Sequence, residues 1–154
     1  MAVEIERKFL VHDNMWKSLF LIKKVEIKQG YLHKTRNTTT RIRVADDLGY
    51  LTIKGPRVDI ECAEYEYEVP LADAIEIMKM CIGPCIKKTR HYIRDEYDQV
   101  WDIDVFKGIN RGLTIAEIEL TSKNQLINIP SWVSTEVSHD RRYTNAYLAD
   151  HKVT

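Results

Sequence analysis

Cysteine is scarce in this sequence: Cys62, Cys81 and Cys85 are the whole supply, an odd number with no C-x-x-C pair. Such a set argues against a disulfide framework or a cysteine-built zinc site and fits a reducing compartment, the cytoplasm. Gly83-Pro84 would break any helix that might stack Cys81 on Cys85 one turn apart. Net charge is also missing. Lys and Arg number 23 and Asp and Glu number 23, so there is no global pull toward nucleic acid or an anionic membrane. Apolar runs never reach the length of a membrane span, and charge stands near the N-terminus where a signal peptide would be apolar. His12, His33, His91 and His151 are scattered without metal-ligand spacing and read as structural or surface residues. The chain of 154 residues, with no repeat, low-complexity tract or linker, is expected to form one domain over 1–154.

What the sequence does have is alternation. Glu4, Glu6 and Lys8 fall two apart, with Ile5 and Phe9 between and beyond them. Two is the side-chain period of a strand, so the three charges share one face. Arg7 interrupts the opposite, apolar face. The same period recurs at Lys24 to His33, Thr40 to Ala45, Tyr50 to Gly55, Ile60 to Val69, Cys85 to Asp95, Val100 to Phe106 and Leu113 to Leu120. Pro56 to Asp59 reads as a loop, and Asp46 to Gly49 as a hairpin turn. Asp13-Asn14 offers a cap for a short turn at Met15 to Phe20. Pro70 opens a helix with an apolar stripe of Leu71, Ile75, Met78 and Ile82, ended by Gly83-Pro84. A last helix is expected from about Thr144. About eight strands with few helices and no βαβ rhythm give a mostly β, α+β chain with an antiparallel sheet.

Strand by strand, the ordinary reading is apolar toward the core and charge toward water. Together the strands lean the other way. Glu4/Glu6/Lys8, Arg41/Arg43, Lys54, Glu64/Glu66/Glu68, Lys88/Arg90, Asp102/Asp104 and Glu117/Glu119 put charge on one face of nearly every strand, much of it sorted by sign. A solvated face needs no such sorting. The alternative closes the sheet into a barrel with charge inside and helices covering the apolar outside. Buried charge is costly unless paired, ligated or wet. Such a lumen therefore calls for a highly charged guest. Carboxylates suit Mg²⁺ or Mn²⁺, and Arg and Lys suit phosphate oxygens.

The blocks that carry these charges resemble the CYTH superfamily, the triphosphate tunnel metalloenzymes, in its small bacterial inorganic triphosphatase type. They are E-I-E-R-K at Glu4 to Lys8, Q-G-Y-L at Gln29 to Leu32, R-I-R at Arg41 to Arg43, T-I-K at Thr52 to Lys54 and E-Y-E-Y-E-V-P at Glu64 to Pro70. K-T-R at Lys88 to Arg90, W-D-I-D-V-F at Trp101 to Phe106, A-E-I-E-L at Ala116 to Leu120 and the closing E-V-S-H-D-R-R-Y-T-N follow in the family's order. E-x-E-x-K alone is a weak pattern, whereas the whole series in order is strong.

The resemblance implies a closed eight-stranded antiparallel barrel that binds a triphosphate with divalent metal. Lys8, Arg41, Arg43, Lys54, Lys88 and Arg90 would hold phosphate, and Glu4, Glu6, Glu64, Asp102, Glu117 and Glu119 would ligate metal, with Asp104 and Glu66 as alternatives on their strands. Glu4, Glu6, Lys8, Tyr31 and Lys88 are the candidates for catalysis, Tyr31 matching a tyrosine near the terminal phosphate. The implied reaction is hydrolysis of tripolyphosphate to pyrophosphate and phosphate, with one metal bridging phosphate oxygens and a second activating water. The alternatives are a thiamine or nucleoside triphosphatase, a class IV adenylyl cyclase, or a polyphosphate-binding module without catalysis. Small members are often homodimers, although nothing else in the sequence points to one. Cys62 stands where the family often has arginine, with Arg57 and Arg111 as candidate replacements.

Overall fold

A computed structural model describes residues 2–12 and 14–154. Nine strands form one sheet: β1 (Val3–Val11), β2 (Phe20–Lys34), β3 (Thr39–Ala45), β4 (Leu48–Val58), β5 (Glu61–Val69), β6 (Ile82–Arg94), β7 (Val100–Phe106), β8 (Thr114–Glu119) and β9 (Val133–Glu136). Two helices, α1 (Leu71–Met78) and α2 (Asn145–Leu148), and three 3-10 turns complete the elements among the described residues. The order β5-β4-β3-β2-β6-β7-β8-β1 closes on itself because β1 pairs with both β8 and β5. The result is a closed eight-stranded antiparallel barrel, and β9 adds to the free end of β1. Closure removes the edges that an open sheet would expose.

Register fixes what faces inward. Glu6 lies opposite Glu119 and Lys8 opposite Glu117, which in turn faces Asp102. Arg90 faces Asp104, Arg41 faces Thr52 and Tyr31, and Lys54 faces Glu64. The alternating neighbours point out. Phe9, Trp101, Ile103, Ala116 and Ile118 meet Trp16 and Trp132 in an external apolar cluster. Ile42 is covered by Ala74 and Met78 of α1. The charged faces thus line the lumen, and these two apolar clusters lie outside the barrel.

Several local expectations change. β4 runs through Pro56 to Val58 and β6 begins at Ile82, because long paired neighbours carry those segments past their proline. The helix after Pro70 stops at Met78, ahead of Gly83-Pro84. It buries Ala74 and Met78, while Ile75 and Ile82 are about half exposed. The expected cap at Asp13 lies outside the described residues; Asn14 precedes the Met15–Ser18 turn without a side-chain cap. β9 had no alternation to announce it. It accounts for Arg7, whose guanidinium grips Glu136 by two hydrogen bonds of 3.0 and 2.7 Å, tying β1 to β9.

The largest correction concerns the C-terminal segment, which was expected on the barrel's outside. Tyr143, Ala146, Leu148, Ala149 and Val153 pack instead against Leu10, Tyr31, Ile86, Phe106 and Ile115. Tyr31, Phe106 and Ile115 share register positions with lumen charges and Ile86 with Gln29, so this segment plugs one end of the barrel. Its α2 spans four residues and is capped by the Thr144 hydroxyl, which accepts from the Tyr147 N–H. Among the described residues no helix is long and apolar enough to cross a membrane.

Candidate functional site

The lumen holds two charge clusters. In the first, Lys54 Nζ donates to Glu4 over 2.8 Å and lies 3.3 Å from Glu64. Arg57 reaches in from β4 to within 3.5 Å of Glu4 and 3.7 Å of Glu6. On the next strands Thr52 donates to Glu66 over 2.8 Å, and Arg41 stands 3.7 Å from the same carboxylate. Arg57 pairs in register with Cys62, so the strand partner of the missing family arginine supplies an arginine of its own.

The second cluster is buried. Lys88 Nζ and Asp104 are 2.7 Å apart with no exposed side-chain surface on either. Arg90 grips Asp104 through two bonds of 2.7 and 2.8 Å and lies 3.4 Å from Asp102 and 3.5 Å from Glu117. Lys8 is 3.6 Å from Glu117. The plug completes this shell: Lys88 donates to Asn145 Oδ1 over 2.9 Å, and Lys8 to the Tyr143 carbonyl over 3.3 Å.

Titration separates the acids into two kinds. Although burial works the other way, Lys54 holds Glu4 below its ordinary value, and Lys8 and Arg90 hold Glu117 down to about 2. Burial also opposes the fall at Asp104, where Arg90 and Lys88 win and hold it well below the carboxylate range. Glu6 goes the opposite way. Burial, with Glu117 and Glu4 nearby, pushes it up to about 8. Asp102 rises to about 6 by burial, which Arg90 only partly offsets. The bases crowd each other as well. Burial, Arg41 and Arg90 bring Arg43 down to about 10, and burial with Arg90 and Arg43 brings Lys88 to about 7 despite Asp104. Such a site favours a cation beside its acids and an anion beside its bases.

Two buried donors sharpen the second shortage. Gln29 Nε2 and Arg41 Nε have no hydrogen-bond partner among the described residues. Gln29 is fully buried, and its Oε1 accepts from Arg43 Nε over 2.9 Å, which turns the NH₂ away. Gln29 belongs to the Q-G-Y-L block but carries no charge, so only its burial on the lumen face identifies it.

The structure brings Glu4, Glu6, Glu64, Lys54 and Arg41 to one wall, and Lys8, Lys88, Arg90, Asp102, Asp104 and Glu117 to another. Glu119 stands opposite Glu6 but is exposed. Tyr31 stands opposite Arg41, its ring packed in the cluster under the plug. Among the described residues no three Asp, Glu, His or Cys side chains are gathered closely enough to cage a metal. The donor chemistry nevertheless fits a hard divalent ion. Two carboxylates, Glu4 and Glu6, stand on one strand, and burial, with the nearby Glu117 and Glu4, raises Glu6 to about 8, a burden that a cation would relieve. Ions of the Mg²⁺ kind are commonly held by one or two carboxylates with the remaining sites filled by water and substrate phosphate.

Comparison with known proteins agrees with this geometry. The CYTH domain model matches residues 2–145. An inorganic triphosphatase of Acetivibrio thermocellus is 43% identical over 149 residues, 96% of this chain and 94% of that protein. An inorganic triphosphatase of Nitrosomonas europaea is 31% identical over 149 residues, covering 95% and 96%. A solved inorganic triphosphatase superposes with a TM-score of 0.70 at 31% identity, covering 97% of this chain and 95% of that one.

Proposed function

The chain belongs to the CYTH domain family, and on that premise we propose that it hydrolyses inorganic tripolyphosphate to pyrophosphate and phosphate with Mg²⁺ or Mn²⁺. The observation that carries the reading is the unpaired polarity of the lumen. Gln29 Nε2 and Arg41 Nε are buried donors without acceptors, set among mutually crowding Arg43, Arg90 and Lys88. An unmet buried donor costs about 1–3 kcal/mol, and a chain of phosphate oxygens would supply several acceptors at once.

Arg41, Arg43, Lys54 and Arg90 orient the phosphate chain, and Lys8 and Lys88 contact it near the plug. Asp104 holds Arg90 and Lys88 in place. Phosphoryl transfer asks little of a protein beyond such positioning and charge stabilisation. Glu4 and Glu6 would hold the divalent ion, with Glu64, Asp102, Glu117 and Glu119 as further carboxylates around it. When bound, that ion neutralises phosphate charge and makes a coordinated water more acidic. Burial lowers Lys88 to about 7 while Asp104, 2.7 Å away, favours its charged form. Tyr31 packs the wall next to Arg41 and limits water at the plugged end. As the family resemblance implies, its partner is a small-molecule triphosphate and its assembly a homodimer, in the cytoplasm and without nucleic acid or membrane.

The test is phosphate release from tripolyphosphate, thiamine triphosphate and ATP side by side, with Mg²⁺ and with Mn²⁺. Fastest turnover of tripolyphosphate is expected. Cyclic AMP from ATP with no tripolyphosphate hydrolysis would overturn the reading. Turnover that survives Glu4→Gln with Glu6→Gln would overturn the metal assignment.

A further inference from the structure

Cys81 and Cys85 meet despite the break between them. α1 ends at Met78, the chain turns, and β6 starts at Ile82 with Gly83 at a φ of 66°. Opposite, β2 advances from Gln29 to Tyr31 while β6 runs from Ile86 back to Ile82, so the β6 strand bulges across from Gly30. The bulge brings both sulfurs to one spot. A Cβ on Gly30 would lie 2.6 Å from Cys81 Sγ and 3.1 Å from Cys85 Sγ. The two thiols are hydrogen-bond partners, and both residues are free and half-buried. They sit outside the lumen, against the Ile42–Ala74–Met78 cluster. The third cysteine differs. Cys62 is buried, with its thiol turned to the carbonyls of Ala63 and Gly55.

We infer that Cys81 and Cys85 form a peroxide-sensitive dithiol that closes to a disulfide, with the bulge at Gly30 carrying the change to Gln29 and Tyr31. One sulfur, as thiolate, attacks a peroxide oxygen, breaking the O–O bond and giving a sulfenic acid and hydroxide. The neighbouring thiol then attacks that sulfur, forming the S–S bond and expelling water. Two thiols lose two electrons and two protons, and one hydroperoxide is reduced. Burial and the adjacent Cys85 raise the Cys81 thiol, which slows its attack at neutral pH, and closure quickens as pH rises and thiolate accumulates. A disulfide requires the Cβ atoms to approach to about 3.5–4.5 Å. Closing the S–S bond repositions the two sulfurs that press on Gly30, whose flanking residues hold Arg43 and pack beside Arg41.

The experiment treats the whole protein with hydrogen peroxide, alkylates the remaining thiols under denaturing conditions and maps the peptides by mass. A Cys81–Cys85 cross-link, with Cys62 alone alkylated and full reversal by dithiothreitol, is expected. Cys81→Ser and Cys85→Ser should each abolish it. Three alkylatable thiols, or cysteine sulfinic acid without a cross-link, would overturn the dithiol. Faster hydrogen exchange at the Gln29 and Tyr31 amides in the oxidised protein reads the coupling whether or not a triphosphate binds, and unchanged exchange sinks it. Where tripolyphosphate binds the reduced protein, oxidation should weaken it several-fold in wild type and leave Cys81→Ser unaffected.

Discussion

Arg43 Nε donates to Gln29 Oε1 over 2.9 Å, and that bond decides which way the Gln29 amide points. Its NH₂ is left facing the lumen with no acceptor. Gln29 therefore positions a base and offers a neutral donor of its own to an anion. Gln29→Leu should raise KM for tripolyphosphate about tenfold, the worth of one buried hydrogen bond, with a smaller effect on kcat. Steady-state kinetics check this; an unchanged KM would mean the amide faces no phosphate.

Glu6 connects pH to stability. Its carboxyl is raised to about 8 in the folded chain, from an ordinary 4.5. The folded state therefore holds a proton that the unfolded state has lost between those values, and stability contributed by Glu6 falls as pH rises through that window. Glu6→Gln should stabilise the metal-free protein relative to wild type, by on the order of 1–3 kcal/mol near pH 8 and by much less near pH 5. Urea unfolding at the two pH values measures the difference. Adding Mn²⁺ should narrow the gap by stabilising wild type, and an equal gain at both pH values would contradict the raised carboxyl.

Gly30→Ala should cost about 1–3 kcal/mol, since the new methyl meets two sulfurs inside contact distance. Cys81→Ala should recover part of that loss in the double variant by removing the nearer sulfur. Thermal unfolding of the four proteins in the cycle gives the coupling. Strict additivity would show that the thiols do not press on β2.

Arg7→Ala should cost about 1 kcal/mol, because its two-bond grip on Glu136 is partly solvated. The loss should shrink in the background of Glu136→Gln and leave KM for tripolyphosphate unchanged, since Arg7 lies on the outer face. Paired denaturant and kinetic measurements distinguish this from a lumen role.

Much of the barrel was legible because alternation is local. Glu4, Glu6 and Lys8 declare a shared face by spacing alone, and so do Lys88 and Arg90. That this face turns inward depends on β1 meeting β5 and β8, pairings distant in sequence. Only the sorting of charge by strand hinted at it. The short elements were legible only in part. β9 has four residues, too few to display a period, and α2 starts where expected at Thr144 but gives no local sign that it docks into the barrel end. The meeting of Cys81 with Cys85 was hidden for another reason: α1 ends at Met78, before either cysteine, and a bulged strand rather than a helical turn brings them together. Gln29 escaped notice because neutral amides carry no charge pattern, and its role is visible only from its burial and its bond to Arg43.

The plug sets an order on biosynthesis. β1 emerges from the ribosome first, yet it has no barrel partner until β5, and the wall carrying Lys8 stays open until β8 at Thr114–Glu119 follows. Lys8 and Lys88 then wait for Tyr143 and Asn145 to supply their last acceptors. Pairings so distant in sequence form slowly. A nascent chain halted before residue 143 would hold a closed barrel with one end open, its Lys8 and Lys88 still without those two acceptors.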